Sequence, residues 1–361
     1  MLIKKGYAML YYCFDVGEEI ELSKLEKILG KKTEKFLLSF KRLTPAYIQY
    51  KVPPLFVRLG KYDVKTNDMI IDMTCDAKIY DFGIVVIRFT VPITGSFANM
   101  KKLSYELSGN VVIEKLAISQ LKDIVNEIFT AIIKPREKLG EDWEDYIIFL
   151  VQELDKEVNT EILLKKCGRE IANILRPEKG LGKEELDDSL KYCLSYYKND
   201  LTVIDWNSAF VYDPTKSYDV PDVIEYAVIE LLELRVYDSL LDEILDRAYD
   251  DLTKEGFKIF PFSRTLQKLS QIKLDISEVI EKVENSLKLI GDLYLAKVYA
   301  AASTRLYLDK WKSNVRYKLA ALETLYSVEW DRAQTRRTVI LEAMIVLLFI
   351  VDLILLISGR I

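Results

Sequence analysis

Histidine is absent from the 361 residues, and that absence removes whole classes of chemistry. Without it there is no Ser-His-Asp or Cys-His triad, no histidine general base, no HExxH zinc site and no ExxH di-iron pattern. Cysteine is scarce: Cys13, Cys75, Cys167 and Cys193 stand apart with no CxxC pair. Such scatter fits structural thiols in a reducing compartment better than disulfides or a metal site. No N-terminal leader is expected either. Lys4 and Lys5 precede a short aromatic run from Tyr7 to Phe14 that Asp15 closes, with no cleavage site and no Arg/Ser-rich stretch. The run reads as a strand, and the body is expected to stay where it is made. Proline is missing from Phe262 to the C-terminus, so nothing there forbids a long helix.

What is present begins with a hydrophobic content of 50% beside 30% charged residues, the composition of a well-cored globular chain. The formal charge of −5 argues against a dedicated nucleic-acid binder. The longest apolar run is Thr338 to Ile357, interrupted only by Glu342 and Asp352. Its length as a helix, about 30 Å, matches a bilayer's hydrocarbon core, so it reads as a transmembrane helix. Both acids lie near its ends, within reach of the interfaces, and acids within a span usually face protein. Arg332, Arg336 and Arg337 flank the run on the body side against Arg360 beyond it. By the positive-inside rule the protein is expected in the cell membrane as a single-pass, tail-anchored chain with its N-terminal body in the cytoplasm.

The fold class expected is α+β, an N-terminal mixed α/β domain followed by a long-helix, coiled-coil-like domain and one transmembrane helix. The boundaries are 1–215 for the α/β domain, 216–337 for the helical stalk, 338–357 for the span and 358–361 for a short tail. Strands are expected at Ala8–Phe14, Leu55–Leu59, Met69–Thr74, Ile84–Val91, Tyr146–Val151 and Ala209–Tyr212. Helical periodicity covers Leu22–Leu29, Met100–Leu107, Val112–Ile133, Thr160–Leu175 and Lys183–Tyr197. Three fragments invite chemistry. Asp81-Phe82-Gly83 spells a kinase metal-binding tripeptide but has no phosphate loop before it and reads as a tight turn. Gly180-Leu181-Gly182-Lys183 lacks the phosphate-loop spacing and reads as a helix start. Asp205-Trp206-Asn207-Ser208 is polar enough for a site but is explained by a turn held by its own side chains. No motif has the specificity of a metal or nucleotide signature, and no catalytic residue, cofactor or metal is expected.

From Asp219 the pattern is helical. Asp222 to Glu255 carries eleven acids against Arg235, Arg247 and Lys254, a net −8. Asp238, Asp242 and Asp246 share a helical face that reads as solvated or Arg-paired and not as a metal site. After a Gly/Pro turn from Gly256 to Phe262, Arg264 to Arg337 carries fourteen basic residues against nine acids, a net +5. The opposite signs favour a helical hairpin. Leu308, Trp311, Val315, Leu319 and Leu322 step close to a heptad pattern and are expected to form an oligomer stripe. Lys297, Arg305, Lys310, Lys312, Arg316 and Lys318, with Tyr307, Trp311 and Tyr317 between them, compose a basic patch suited to RNA, lipid headgroups or the acidic helix.

Gly291-Asp292-Leu293-Tyr294-Leu295-Ala296-Lys297-Val298-Tyr299, then Arg305, Leu308, Trp311, Val315, Lys318-Leu319, Leu322 and Tyr326, then Arg336-Arg337 and Leu341-Glu342 opening the span with Asp352 inside it, resemble the ending of the required-for-meiotic-nuclear-division (YagE-like) proteins. Tyr80-Asp81-Phe82-Gly83 before a Val/Ile strand is a second, weaker likeness, and the acidic middle helix marks a divergent prokaryotic branch. The resemblance implies an α/β body, a helical stalk, a C-terminal anchor, homo-oligomers and, in mitochondrial members, support of translation at a membrane. The function expected is a non-enzymatic, membrane-anchored, homo-oligomeric scaffold whose body recruits a cytoplasmic protein or a ribosome/RNA partner. Its rival is a membrane-localised, carboxylate-based enzyme or ligand sensor, which a pocket of perturbed acids near Asp205 to Asp213 would favour.

Overall fold

Strand β1 (Leu2–Asp15) alternates Ala8, Leu10, Tyr12 and Phe14 with Met9, Tyr11 and Cys13, and all seven are buried. A strand buried on both faces has to be central with layers on either side. The computed structural model, which describes residues 1–29, 33–34, 54–66, 69–178, 180–253, 274 and 293–357, places it there. The turn expected at Gly256 to Phe262, Gly291 and the start of the basic return leg lie outside the described residues.

In chain order β1 is followed by β2 (Gly17–Ile20), α1 (Leu22–Leu29), β3 (Thr33–Glu34), β4 (Leu55–Lys65), β5 (Ile70–Ile79) and β6 (Ile84–Ser96). Next come α2 (Phe97–Leu107), α3 (Val111–Ile128), β7 (Ile132–Pro135), β8 (Trp143–Leu154), α4 (Thr160–Leu175), α5 (Lys183–Ser189), β9 (Cys193–Leu194), β10 (Leu201–Ile204) and β11 (Ser208–Tyr212). Three helices complete the described chain: α6 (Asp219–Thr253), α7 (Leu293–Arg305) and α8 (Leu308–Ile357). This is an N-terminal mixed α/β domain followed by long helices, one of them apolar over a membrane's thickness. Among the described residues nine strands form one sheet in the order β3-β4-β5-β6-β1-β8-β11-β10-β9, and β2 pairs with β7. Every described pairing is antiparallel except β8 with β11.

All six expected strands form, each extended at one or both ends. Two helices stop short of their patterns. The Val112–Ile133 periodicity ends at Ile128, because Ile132 and Ile133 pair with Ile20 and Glu19 across the small sheet. The Lys183–Tyr197 periodicity ends at Ser189, because Cys193 and Leu194 pair with Val203 and Thr202. In both cases an apolar run satisfies two periods, and a strand partner distant in sequence decides between them.

One face of the sheet carries the main core, from Leu10, Phe14, Ile87 and Phe89 to Phe149 and Phe210, under α1–α4. Helix starts there are capped as their sequences dictate. Ser96 accepts from the Asn99 amide, Asn110 from Val112 and Ile113, and Asn159 from Ile162, each worth about 1 kcal/mol. On the other face β5 presents Lys78, whose ammonium meets Asp222 at 2.8 Å and Glu225 at 2.5 Å on α6.

Gly83 closes the β5–β6 turn at φ +87, and a Cβ there would lie 1.9 Å from the Gly17 carbonyl oxygen. That contact exists because the Val16 amide donates to the Gly83 carbonyl at 2.9 Å and the Ile20 amide to the Asp81 carbonyl at 2.7 Å. The Asp81-Phe82-Gly83 tripeptide is thus a turn that steric and hydrogen-bonding demands fix. Gly83→Ala is expected to cost about 3 kcal/mol in urea unfolding. Gly109→Ala, at φ +61 with nothing within 4 Å, should cost about 1 kcal/mol. Equal costs would contradict the close approach.

The chain divides into two compact units, Met1–Val236 with Val279–Trp311, and Tyr237–Glu278 with Lys312–Ile361. Within the second, Lys318 of α8 pairs with Asp238 at 2.8 Å and Asp242 at 2.6 Å on α6. Leu241, Val315 and Leu322 are buried there. At about 1.5 Å per residue α8 is about 75 Å long, and it runs unbroken into the apolar segment Thr338–Leu356, 19 residues of which none is buried within the chain. The break before α8 is at Tyr307, a non-glycine residue at φ 57.

Candidate functional site

A charged cluster of the first unit forms where four elements end. Arg176 is the C-cap of α4, Glu185 and Asp188 lie on α5, Asp205 opens the β10–β11 turn and Arg305 ends α7. Asp205 is completely buried. Arg176 Nε donates to its Oδ2 at 2.6 Å and Nη2 to its Oδ1 at 3.1 Å, a bidentate fork. From the other side Arg305 Nε donates to Oδ1 at 2.9 Å, and its Nη2 reaches the same oxygen. Both guanidinium groups then share Asp188 Oδ2 at 2.7 Å, and Arg176 Nη1 adds the Glu185 carboxylate. The Arg305 guanidinium carbon lies 5.7 Å from the centre of the Tyr192 ring.

The turn that carries Asp205 is held in part by bonds that do not use its carboxylate. The Tyr146 hydroxyl lies 2.8 Å from the carbonyl oxygens of both Asp205 and Ser208, as donor to each, and the Ser208 hydroxyl donates to the Leu175 carbonyl at 2.8 Å. The Asp205 amide donates to the Ser208 carbonyl, and the Trp206 amide to Asp205 Oδ1. The sequence expectation of a turn held by its own side chains holds for Asp205, but it omits the two arginines. Arg176 lies one residue beyond the Thr160–Leu175 helical pattern, and nothing local in a sequence marks a cap residue as buried.

Hydrogen bonds that Arg176 donates to Asp205 are the main cause that holds its guanidinium above its ordinary range. For Arg305 burial acts downward, and the Asp188 and Asp205 carboxylates outweigh it. Asp188 is held down to about 2 by hydrogen bonds from Arg305 and then Arg176. Because its folded value is depressed, the stability it contributes is fully present above its ordinary value near ~3.9 and is lost as pH falls towards 2. A carboxyl-carbon titration should place its midpoint well below that of free aspartate. An ordinary midpoint would mean that the two arginines do not share it.

Chemically the cluster is a clamp. A general base needs an oxygen free to take a proton, whereas both Asp205 oxygens already accept hydrogen bonds from guanidinium groups. Nearby acids are similarly engaged. Asp200 accepts from the Tyr196 amide at 2.8 Å and the Tyr197 amide at 2.9 Å, and Asp213 from the Thr215 amide at 2.7 Å. Burial is the main cause raising the Asp200 carboxyl. A second polar layer holds α6: Tyr80 donates to Glu225 at 2.9 Å, Tyr299 to Glu230, and Arg235 pairs with Glu144. Burial lowers the Lys78 ammonium, but Asp222 and then Glu225 outweigh it and raise it above its ordinary range. Among the described residues no group of His, Cys, Asp and Glu is placed to hold a metal. All four thiols are free, and burial raises each.

The basic stretch read as one patch divides into residues with different roles. Arg305 is buried in the clamp, Lys318 is engaged by Asp238 and Asp242, and Lys310 lies 4.5 Å from the centre of the Tyr307 ring. Lys297 and Arg316 are exposed and Lys312 is half-buried. Leu308, Val315 and Leu322 are completely buried within one chain, so the most regular part of the expected oligomer stripe is covered without a second copy. Trp311 and Leu319 are half-buried. Arg332, Arg336 and Arg337 fall in α8 just before the apolar segment, and Glu342 and Asp352 are exposed within it.

A family profile described as "Uncharacterized protein MJ0711, N-terminal domain" matches residues 5–219. The chain is similar to the uncharacterized protein MJ0711 of Methanocaldococcus jannaschii, 24% identical over 256 residues, which cover 68% of this chain and 78% of that one. No solved structure matches the chain. These matches correct the YagE-like resemblance, and the homo-oligomer and translation roles it implied fall with it. The residues that carried that likeness answer to general demands. An arginine-flanked apolar helix is what any single span needs, and the Tyr80–Gly83 turn follows from the close approach of Gly17 to Gly83.

Proposed function

The chain belongs to the family of the MJ0711 N-terminal domain, and from that premise we propose that it is a single-span membrane protein that works by binding. Its α/β body stands on the cytoplasmic side, on the arginine-flanked end of the span. The observation that carries this reading is α8, in which Thr338–Leu356 continues a helix from the body and is nowhere buried within the chain. Sixteen of those 19 residues are apolar. At about 2 kcal/mol for each apolar side chain, removing them from water is worth roughly 30 kcal/mol. Two acids in the span cost only about 3 kcal/mol each, so the bilayer is strongly favoured over water.

Binding is preferred to catalysis because the carboxylates that would serve a reaction are neutralised inside the fold, Asp205 by Arg176 and Arg305, and Glu225 by Lys78. A nucleic-acid role is not part of the proposal, since Arg305 and Lys318 are committed to carboxylates. Washing membranes of expressing cells with alkaline carbonate tests the anchor. The full chain is expected in the pellet, and its release into the supernatant would overturn the reading.

A further inference from the structure

Glu342 and Asp352 are the fifth and fifteenth residues of the 19-residue apolar segment, and both are exposed. The positions one helical turn away offer neither acid a counter-charge. They are Thr338, Val339, Ile345 and Val346 for Glu342, and Leu348, Phe349, Leu355 and Leu356 for Asp352. At about 100° per residue the two carboxylates project about 80° apart, so they share one side of the helix. Short acidic side chains inside hydrocarbon are costly and normally face protein.

We propose that this side of the span docks a membrane partner whose own helix carries Lys or Arg at the depths of Glu342 and Asp352. This proposal rests on the membrane-spanning reading above. Charge complementarity selects the partner. A second copy inserted with the same orientation would set Glu342 against Glu342 and Asp352 against Asp352, like charges in a low-dielectric medium. A basic helix neutralises both. Fifth and fifteenth places are also symmetric in a 19-residue segment, so a helix with basic residues at those places meets both acids in parallel or antiparallel orientation.

The test uses the full chain, donor-labelled and reconstituted in phosphatidylcholine vesicles, with acceptor-labelled synthetic helices as the probe. One probe is a leucine-rich 19-residue span with Lys at places five and fifteen; the other has Leu at both. Energy transfer is expected to report about three- to tenfold tighter association with the lysine helix, a preference that the Glu342→Gln, Asp352→Asn double variant abolishes. Equal association with the two probes would overturn the proposal. So would transfer between donor- and acceptor-labelled copies of the chain itself that the same double variant weakens, since that would make a second copy the occupant. Flotation of the same vesicles separates the two levels of the argument. A chain that floats but ignores the lysine helix defeats this inference alone, whereas a chain that does not float defeats the membrane-spanning reading.

Discussion

Asp205→Ala lowers the unfolding temperature of the protein by about 10 °C, the largest effect expected of any single substitution in the body. The reason is the asymmetry of buried ion pairs. Removing the carboxylate leaves two guanidinium groups, both largely buried, facing a cavity where each had an acceptor. Breaking a buried pair in this way costs about 3–5 kcal/mol, far more than the net worth of the pair. Asp188→Ala supplies the contrast. Its side chain is 42% exposed, and water replaces much of what it gives, so the loss should stay within about 1 kcal/mol. Calorimetry on both variants checks the order. If the Asp188 variant loses as much as the Asp205 variant, the clamp is not centred on the buried carboxylate.

Deleting every residue after Arg337 moves the protein almost entirely from the membrane to the soluble fraction while its unfolding temperature stays within about 2 °C of the parent body. Both halves of this outcome follow from burial. The removed segment is the one apolar helix of membrane length among the described residues, and none of it is buried within the chain. The core of the α/β body, by contrast, is built by residues up to Tyr212 and is closed on its other face by α6 and α7. A truncated protein that still sediments with carbonate-washed membranes would place the membrane contact in the body instead.

The strands that survived from sequence to structure were those whose side chains reported their own burial. Met69–Thr74 alternates so cleanly that β5 buries Ile71, Met73 and Cys75 while Asp72 and Thr74 face outward. The apolar segment of α8 was legible for a similar reason, since length and composition alone set its partition. Short β9 and β10 were not legible, because Cys193 and Leu194 fell inside a helical pattern and the pairing of both strands depends on partners elsewhere. The clamp was legible in half. Asp205 stood out as a polar turn between strands, but Arg305 lies 100 residues away and read as part of a basic surface. A charge pattern reports sign and spacing along one helix; it does not report which cation a fold takes inside. The acidic face of α6 was easier, because Asp238 and Asp242 are one turn apart and a basic return leg was visible opposite them.

The central claim is that α8 carries the chain across a bilayer from an arginine-flanked cytoplasmic end. Two variants, each with one accessible thiol, test it directly, Gln334→Cys before the apolar segment and Ser358→Cys after it, both made with Cys193→Ser because the other three native thiols are buried. In sealed inverted vesicles a membrane-impermeant maleimide should label position 334 and leave position 358 unlabelled until detergent is added, and in spheroplasts the pattern should reverse. Labelling of both positions from the same side, in either preparation, would contradict the claim that the helix spans the membrane.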